Sequence, residues 1–299
     1  MEPFQASTTR LARLRLAAAA ALFSTGGAAI KACALSNWQI ACFRSVIAAV
    51  TLLALLPAAR RRWSGWTIAV GLAYAATLIL FVSANKLTTA ANAIFLQYTA
   101  PLYILILGPL LLDEHIGRRD LVYMGILALG LALFFVGVES PSTSAPHPLI
   151  GNLVAAAAGV SWALTVIGLR AMGRRNEEGA GLAAVVAGNL MAFLVCLPLA
   201  LPVRSGGVTD WLTLTYLGAF QIGAAYMLLV PAMQHVQALD ASLLLLLEPV
   251  LNPFWAWLAQ GETLGPWSLA GGAVILTATA VKAWLDLRGQ RAALAAPQP

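Results

Sequence analysis

Long apolar stretches alternate along this chain with short polar ones, and ten of the apolar stretches run for roughly 18 to 25 residues. At 1.5 Å per helical residue each is long enough to cross a hydrocarbon core of about 30 Å. They fall at 14–35, 38–56, 66–84, 88–112, 121–138, 150–169, 181–203, 211–230, 239–259 and 267–285. Charged residues gather between the stretches and do not mark one face of them, as they would in the amphipathic helices of a soluble bundle. The two-residue alternation of membrane barrel strands is also missing. Backbone groups in lipid must pair within their own segment, so the pattern predicts an all-α integral membrane protein with ten transmembrane helices.

Composition narrows the class further, since 60% of the residues are apolar and only 10% are charged, outside the range of soluble domains. Most connections are short and leave no room for a soluble domain. The longest interior one, "ESPSTSAPHP" at 139–148, lies near the midpoint and reads as a linker between an N-terminal half, 1–138, and a C-terminal half, 149–299. Cys33, Cys42 and Cys196 are odd in number and all fall within predicted spans, which argues against a disulfide framework.

Lys and Arg accumulate on the cytoplasmic side of short membrane loops. With ten crossings, one side carries Arg10, Arg13, Arg15, Arg60, Arg61, Arg62, Arg118, Arg119, Arg170, Arg174, Arg175, Lys282, Arg288 and Arg291, and the other only Lys86 and Arg204. Lys31 and Arg44 remain inside spans. The expectation is a multi-pass protein of the inner (cytoplasmic) membrane with both termini in the cytoplasm. The basic balance thus reports topology, and a nucleic-acid partner, which needs basic residues gathered on one face among aromatics, has no support.

One sentence is written twice. "ANAIFLQYTAPLYILILGPLLLDEHIG" at 91–117 and "ASLLLLLEPVLNPFWAWLAQGETLG" at 241–265 align without a gap when Pro101 is placed on Pro249; Ala93 then meets Ala241, Glu114 meets Glu262, Gly117 meets Gly265 and Leu121 meets Leu269. "FSTGGAAIK" at 23–31 similarly matches "WALTVIGLR" at 162–170, aromatic to aromatic and base to base. The unit is five spans, and an odd unit makes the second copy enter from the opposite side. Two inverted five-helix repeats around a central cavity are a transporter device. The first span also resembles a signal peptide, Arg-rich ahead of "LAAAAALFSTGG" with "ACA" after it. Its recurrence as the sixth span argues that it is retained.

The segments "LFSTGGAAIK", "CFRS" at 42–45, "ANAIFLQYTAPLYILILGPLLLDE", "GVSWALTVIGLR" and "LLLEPVLNPFWAWLAQGE" together resemble the EamA-type ten-helix exporters of the drug/metabolite transporter superfamily, and among them bacterial amino-acid exporters that include the aromatic amino-acid exporter. The resemblance covers residues 14 to 285. It implies a basket-like bundle with a central cavity, export from the cytoplasm, and no ATP-hydrolysing domain. Phe23 stands where family members often carry Trp, and "YTAP" lacks the second aromatic that the aromatic exporters place before the proline.

Polar groups inside a membrane are costly and should face the bundle or a wet cavity. Glu248 lies mid-span, after five leucines and before Pro249, where it reads either as a substrate-ammonium or proton site at a broken helix or as a carboxylate satisfying neighbours at a kink. Lys31, near a span end, is expected to snorkel, and Arg44 to tie helices together. The candidate pocket wall comprises Gln97 and Tyr98 before Pro101, Tyr103 after it, Tyr74 with Thr77 in the third span, Trp162 in the sixth, and Gln221 and Tyr226 in the eighth. An apolar cavity with a few convergent polar groups is the general form of a small-molecule site. Resemblance to the family favours Tyr98, by its pre-proline place, and Trp162, by its place in "SWAL".

Enzyme signatures are missing. His115, His147 and His235 form no H-E-x-x-H pair, and neither a G-x-S-x-G elbow nor a phosphate-binding G-x-x-x-x-G-K-S/T loop occurs. The expectation is therefore not an enzyme but a secondary exporter of small metabolites, with amino acids the foremost cargo, efflux of lipophilic cations the alternative, and an intramembrane enzyme the alternative of another class. Its partners are a small-molecule substrate and the lipid bilayer, and no cofactor or metal is expected.

Overall fold

The computed structural model describes residues 3–60, 63–112, 117–174, 179–233, 235–236 and 238–295, and among these every regular element is helical. Glu114, His115, Arg61, Arg62 and Arg175 lie outside the described residues. Nine runs among the described residues are long and apolar enough to cross a membrane: Asn37–Leu55, Gly65–Leu87, Ala90–Leu111, Arg118–Val136, Pro148–Met172, Ala180–Ala200, Val208–Met233, Leu243–Gln260 and Pro266–Asp286. The run expected at 14–35 is helical but divided at Thr25 into α1 (Pro3–Ser24) and α2 (Gly26–Ala32). Thr25 turns its hydroxyl back onto the carbonyl of Leu22 at 2.7 Å, competing with the helical ladder just ahead of two glycines.

The remaining elements are α3 (Asn37–Leu55), α4 (Gly65–Leu87), α5 (Ala90–Gln97), α6 (Ala100–Leu112), α7 (Arg118–Val136), α8 (Pro148–Arg174), α9 (Ala180–Ala200), α10 (Val208–Thr215), a π-helical segment (Tyr216–Ala224), α11 (Ala225–Met233), α12 (Ala238–Leu245), α13 (Leu247–Gln260) and α14 (Pro266–Ala295). Their starts are written in short polar residues. Ser36 and Ser64 each cap a helix reciprocally with the residue three further on, Gln39 and Thr67, and Thr89 accepts from the amide of Asn92. Gly117 and Gly265, equivalent in the repeat alignment, each stand one residue before a helix, α7 and α14.

The fourth and ninth runs are interrupted at equivalent places. α5 ends at Gln97 and α6 resumes at Ala100; α12 ends at Leu245 and α13 resumes at Leu247. Pro101 and Pro249 then sit in the first turns of the resumed helices, where a missing N–H is tolerated. In a continuous helix Pro249 would leave the carbonyl of Leu245 without its donor, so the interruption and the proline are one feature.

Several helix contacts recur when the first five runs are exchanged for the last five. α4 packs on α8 and α9 as the π segment and α11 pack on α1 and the π segment on α3; α5 and α6 pack on α8 as α12 and α13 pack on α1. The pairs α3 with α9 and α7 with α14 map onto themselves. Small residues permit the closest crossings. A Cβ on Gly188 would lie 2.7 Å from the carbonyl oxygen of Gly71, and one on Gly271 would lie 2.8 Å from that of Gly130. Gly125 has nothing within 4 Å of its would-be Cβ and mediates no such approach.

The connections after the odd-numbered runs gather at one end. There Lys86 donates to the carbonyl of Cys33, the amide of Ala34 donates to Asp210, that of His147 to the carbonyl of Leu87, and that of Gly265 to Glu139. This end is arginine-poor; Arg10, Arg13, Arg60, Arg118 and Arg170 belong to the other. The charge distribution predicts that single cysteines at Ser64 and Arg118, on a cysteine-free background, react with impermeant thiol reagent only from the cytoplasmic face, and those at Ser142 and Ser205 only from outside. Labelling of both pairs from the same face would contradict ten crossings.

Candidate functional site

The interruptions of the fourth and ninth runs open onto a central cavity of about 320 Å³, within the range of small-molecule sites. One wall is a chain of rings: Trp162 and Tyr74 have centroids 6.3 Å apart, Tyr74 and Tyr226 are 6.4 Å apart edge to face, and Tyr226 and Phe23 are 5.5 Å apart edge to face. Opposite chemistry comes from Gln97, Tyr98 and Glu248 at the two interruptions, Gln221 in the π segment, Arg44 from α3, and Thr77 and Thr279. Eight of the nine candidate residues named from the sequence therefore line this cavity: Tyr74, Thr77, Gln97, Tyr98, Trp162, Gln221, Tyr226 and Glu248. Tyr103 does not. Ala100, Pro101 and Ile104 take the cavity-facing positions of α6, and Tyr103, about 100° round the helix from Ile104, packs instead on Gly159 of α8.

Tyr98, Glu248 and Gln221 are each placed by an irregularity of the backbone. The Tyr98 hydroxyl lies 2.9 Å from Glu248 Oε2, to which it donates, and 3.2 Å from the carbonyl of Leu245, the acceptor that Pro249 leaves without a helical donor. One half of the molecule thus braces the broken helix of the other. Gln221 is held similarly. Its Nε2 donates at 3.3 Å to the carbonyl of Phe23 in the last turn of α1, and Gly26, without a side chain, leaves room for it; a Cβ there would come within 2.8 Å of that nitrogen. Tyr216 and Thr25 share a hydrogen bond of 2.8 Å that joins the π segment to the same interruption. The carbonyl oxygens Gln97 Oε1 and Gln221 Oε1 and the Arg44 Nε have no hydrogen-bond partner.

The profile of the EamA-like transporter family matches residues 11–136 and again residues 149–283. The chain belongs to this family. A curated relative described as an uncharacterized transporter, from Archaeoglobus fulgidus, is 25% identical over 218 residues, 70% of this chain and 73% of its own. A solved crystal structure, 22% identical, covers 93% of this chain and 98% of its own with a TM-score of 0.61, which shows that the fold is shared. This EamA-like protein is a multi-pass membrane transporter for small molecules. Among the described residues no group of three or more His, Cys, Asp or Glu is placed to hold a metal.

The arginine-poor end of the transporter is closed by polar contacts between its halves. Lys31 of α2 pairs with Glu262, after α13, at 2.7 Å, with both side chains only 4% exposed. Lys31 also donates to the carbonyls of Thr88, at 2.8 Å, and Ser144, while Glu262 accepts the amide of Ala90 at 2.9 Å. Thr88 donates to Asn152 at 2.8 Å, and Gln260 to the carbonyl of Ala28 at 2.9 Å. The snorkelling expected of Lys31 is overturned: the loop at 139–148 and the residues around Glu262 cover the span end and supply acceptors, so its ammonium has no need to reach solvent.

Arg44, Phe23 and Thr279 are cavity residues that the sequence-based set omitted. Phe23 was visible as the place where the family carries Trp; Thr279 had no signal beyond lying in the tenth span. For the Lys31–Glu262 pair, removing one partner leaves the other buried and uncompensated, at about 3–5 kcal/mol. Lys31→Met should lower the melting temperature of the purified protein clearly, and the double variant Lys31→Met/Glu262→Gln should recover much of the loss. A double variant no better than additive would show that the pair does not couple the halves.

Proposed function

We propose that this EamA-like transporter is a secondary exporter of amino acids, working across the inner (cytoplasmic) membrane by alternating access between two inverted five-helix halves, 1–138 and 149–299, joined by the linker 139–148. Ten helices cross the bilayer, the first of them divided at Thr25, and both termini lie in the cytoplasm. The observation that carries this reading is the position of the cavity. It lies where repeat-equivalent interruptions, at Tyr98–Thr99 and at Leu246, meet from opposite halves. A site on the axis relating two inverted repeats is the one place that an exchange of their conformations exposes first to one side and then to the other. The helix contacts that recur on exchange of the halves support the same symmetry, and the buried Lys31–Glu262 pair supports a state closed toward the outside.

The chemistry of the wall supports the cargo. Ring faces from Phe23, Tyr74, Trp162 and Tyr226 suit an apolar side chain, Glu248 and the free amide oxygens of Gln97 and Gln221 suit an ammonium group, and about 320 Å³ holds a molecule of amino-acid size. Tyr98, with one hydrogen bond tying it to Glu248, positions that carboxylate as well as presenting its ring.

Purified protein in proteoliposomes should exchange labelled large apolar amino acids in counterflow. Tyr98→Ala and Trp162→Ala should each slow the exchange of large apolar amino acids more than of small ones, because loss of ring contact removes about 1 to 3 kcal/mol of apolar burial from a large cargo and less from a small one. A loss equal for all cargo sizes and tracking thermal stability would return both rings to packing roles. No counterflow of any amino acid, with exchange of lipophilic cations instead, would replace the amino-acid reading by cation efflux.

A further inference from the structure

Arg44 stands midway along α3 and is 2% exposed, yet it borders the central cavity. A guanidinium has five N–H donors and keeps its charge in proteins. Among the described residues its one hydrogen bond runs from Nη2 to the carbonyl of Leu78 at 3.4 Å, Nε has no partner, and no carboxylate lies within ion-pair distance. A residue serving only to tie α3 to α4 would have its donors spent on backbone. Leaving a buried guanidinium almost unpartnered is expensive, and an anionic ligand entering the chamber relieves the cost.

The same chamber holds Glu248, whose Oε2 accepts from Tyr98, together with the free amide oxygens of Gln97 and Gln221. Arg44 and Glu248 both border the cavity without forming an ion pair with each other. The chamber therefore presents a donor group and an acceptor group, each available to a guest.

We propose that Arg44 is the subsite for a carboxylate on the transported molecule, so that cargo must be anionic or zwitterionic. This rests on the cavity being the transport site and deepens the amino-acid reading: in an amino acid the carboxylate takes the planar N–H fork of Arg44, and the ammonium turns toward Glu248 and the two glutamine oxygens. A lipophilic cation entering the same chamber meets a fixed like charge.

Three probes of nearly equal shape separate the contributions: leucine, leucinamide, which lacks the carboxylate, and 4-methylpentanoate, which lacks the ammonium. Purified full-length protein is titrated with each while its melting temperature is followed. Leucine and 4-methylpentanoate should stabilise the wild type at concentrations about tenfold or more below leucinamide, the weight of one charge-assisted hydrogen bond. Arg44→Gln should erase that preference and Arg44→Lys, which keeps the charge without the fork, should keep part of it. The proposal is overturned if leucinamide stabilises the wild type as well as leucine does, if none of the three stabilises it, or if Arg44→Gln retains the preference. Should Arg44→Gln fail to fold, the wild-type titration and Arg44→Lys still decide. Counterflow of labelled leucine separates the two ideas. A carboxylate preference in binding with no exchange of leucine leaves the subsite and removes amino-acid export, whereas leucine exchange inhibited equally by leucinamide leaves export and removes the subsite.

Discussion

A backbone carbonyl or N–H without a partner costs several kcal/mol in hydrocarbon, so a membrane helix departs from regularity only where something else in the protein supplies the missing bond. The interruptions here follow that constraint. The carbonyl of Phe23 near the break in the first run receives the amide of Gln221; the carbonyl of Leu245, deprived of a donor by Pro249, is approached by the hydroxyl of Tyr98. In both cases the donor comes from the other half of the chain, and in both cases the donor borders the central cavity. The chamber is the consequence of the breaks. The broken helices are braced from the other half of the chain, and the bracing side chains border the chamber.

Charge obeys the same rule with different outcomes at two depths. At the arginine-poor end Lys31 and Glu262 satisfy each other and close the halves together, with Thr88, Ser144, Ala90, Gln260 and Ala28 completing the seal. In the chamber Glu248 receives a single hydroxyl and Arg44 one long hydrogen bond. The charges at the arginine-poor end are thus well partnered, and those at the chamber sparsely so, which is the contrast that the proposed site rests on.

Much of this was legible in the sequence. Apolar run length located nine of the spans, because hydrocarbon thickness leaves little freedom in length, and the aligned prolines Pro101 and Pro249 stand at the interruptions of the fourth and ninth runs. The break at Thr25 carries no proline; it depends on a tertiary donor, Gln221, and a hydroxyl partner, Tyr216, that lie about two hundred residues further on. Arg44 was expected to tie helices together, and its one hydrogen bond does run to the carbonyl of Leu78 on α4; that it also borders the cavity was not legible, because whether inward means a carbonyl or a cavity is decided by its neighbours. Lys31 was misjudged because a lysine near a span end reaches water unless a loop covers it, and the covering residues are remote in sequence. Tyr103 shows the converse error. Proximity to Pro101 suggested the wall, whereas the phase of α6 after its restart turned the ring toward Gly159.

The central claim is that one chamber between the halves is presented to each side of the membrane in turn. Ile104 borders the chamber without contributing a polar group. A single cysteine in its place, in protein otherwise free of cysteine, reports access directly when impermeant thiol reagents are applied to oriented vesicles from one face at a time. The account predicts modification from the cytoplasmic face in the resting protein, protection by excess leucine, and increased modification from the outer face when Lys31 is replaced by Met. A cysteine that is modified from neither face, or at a rate indifferent both to leucine and to the loss of Lys31, would contradict it.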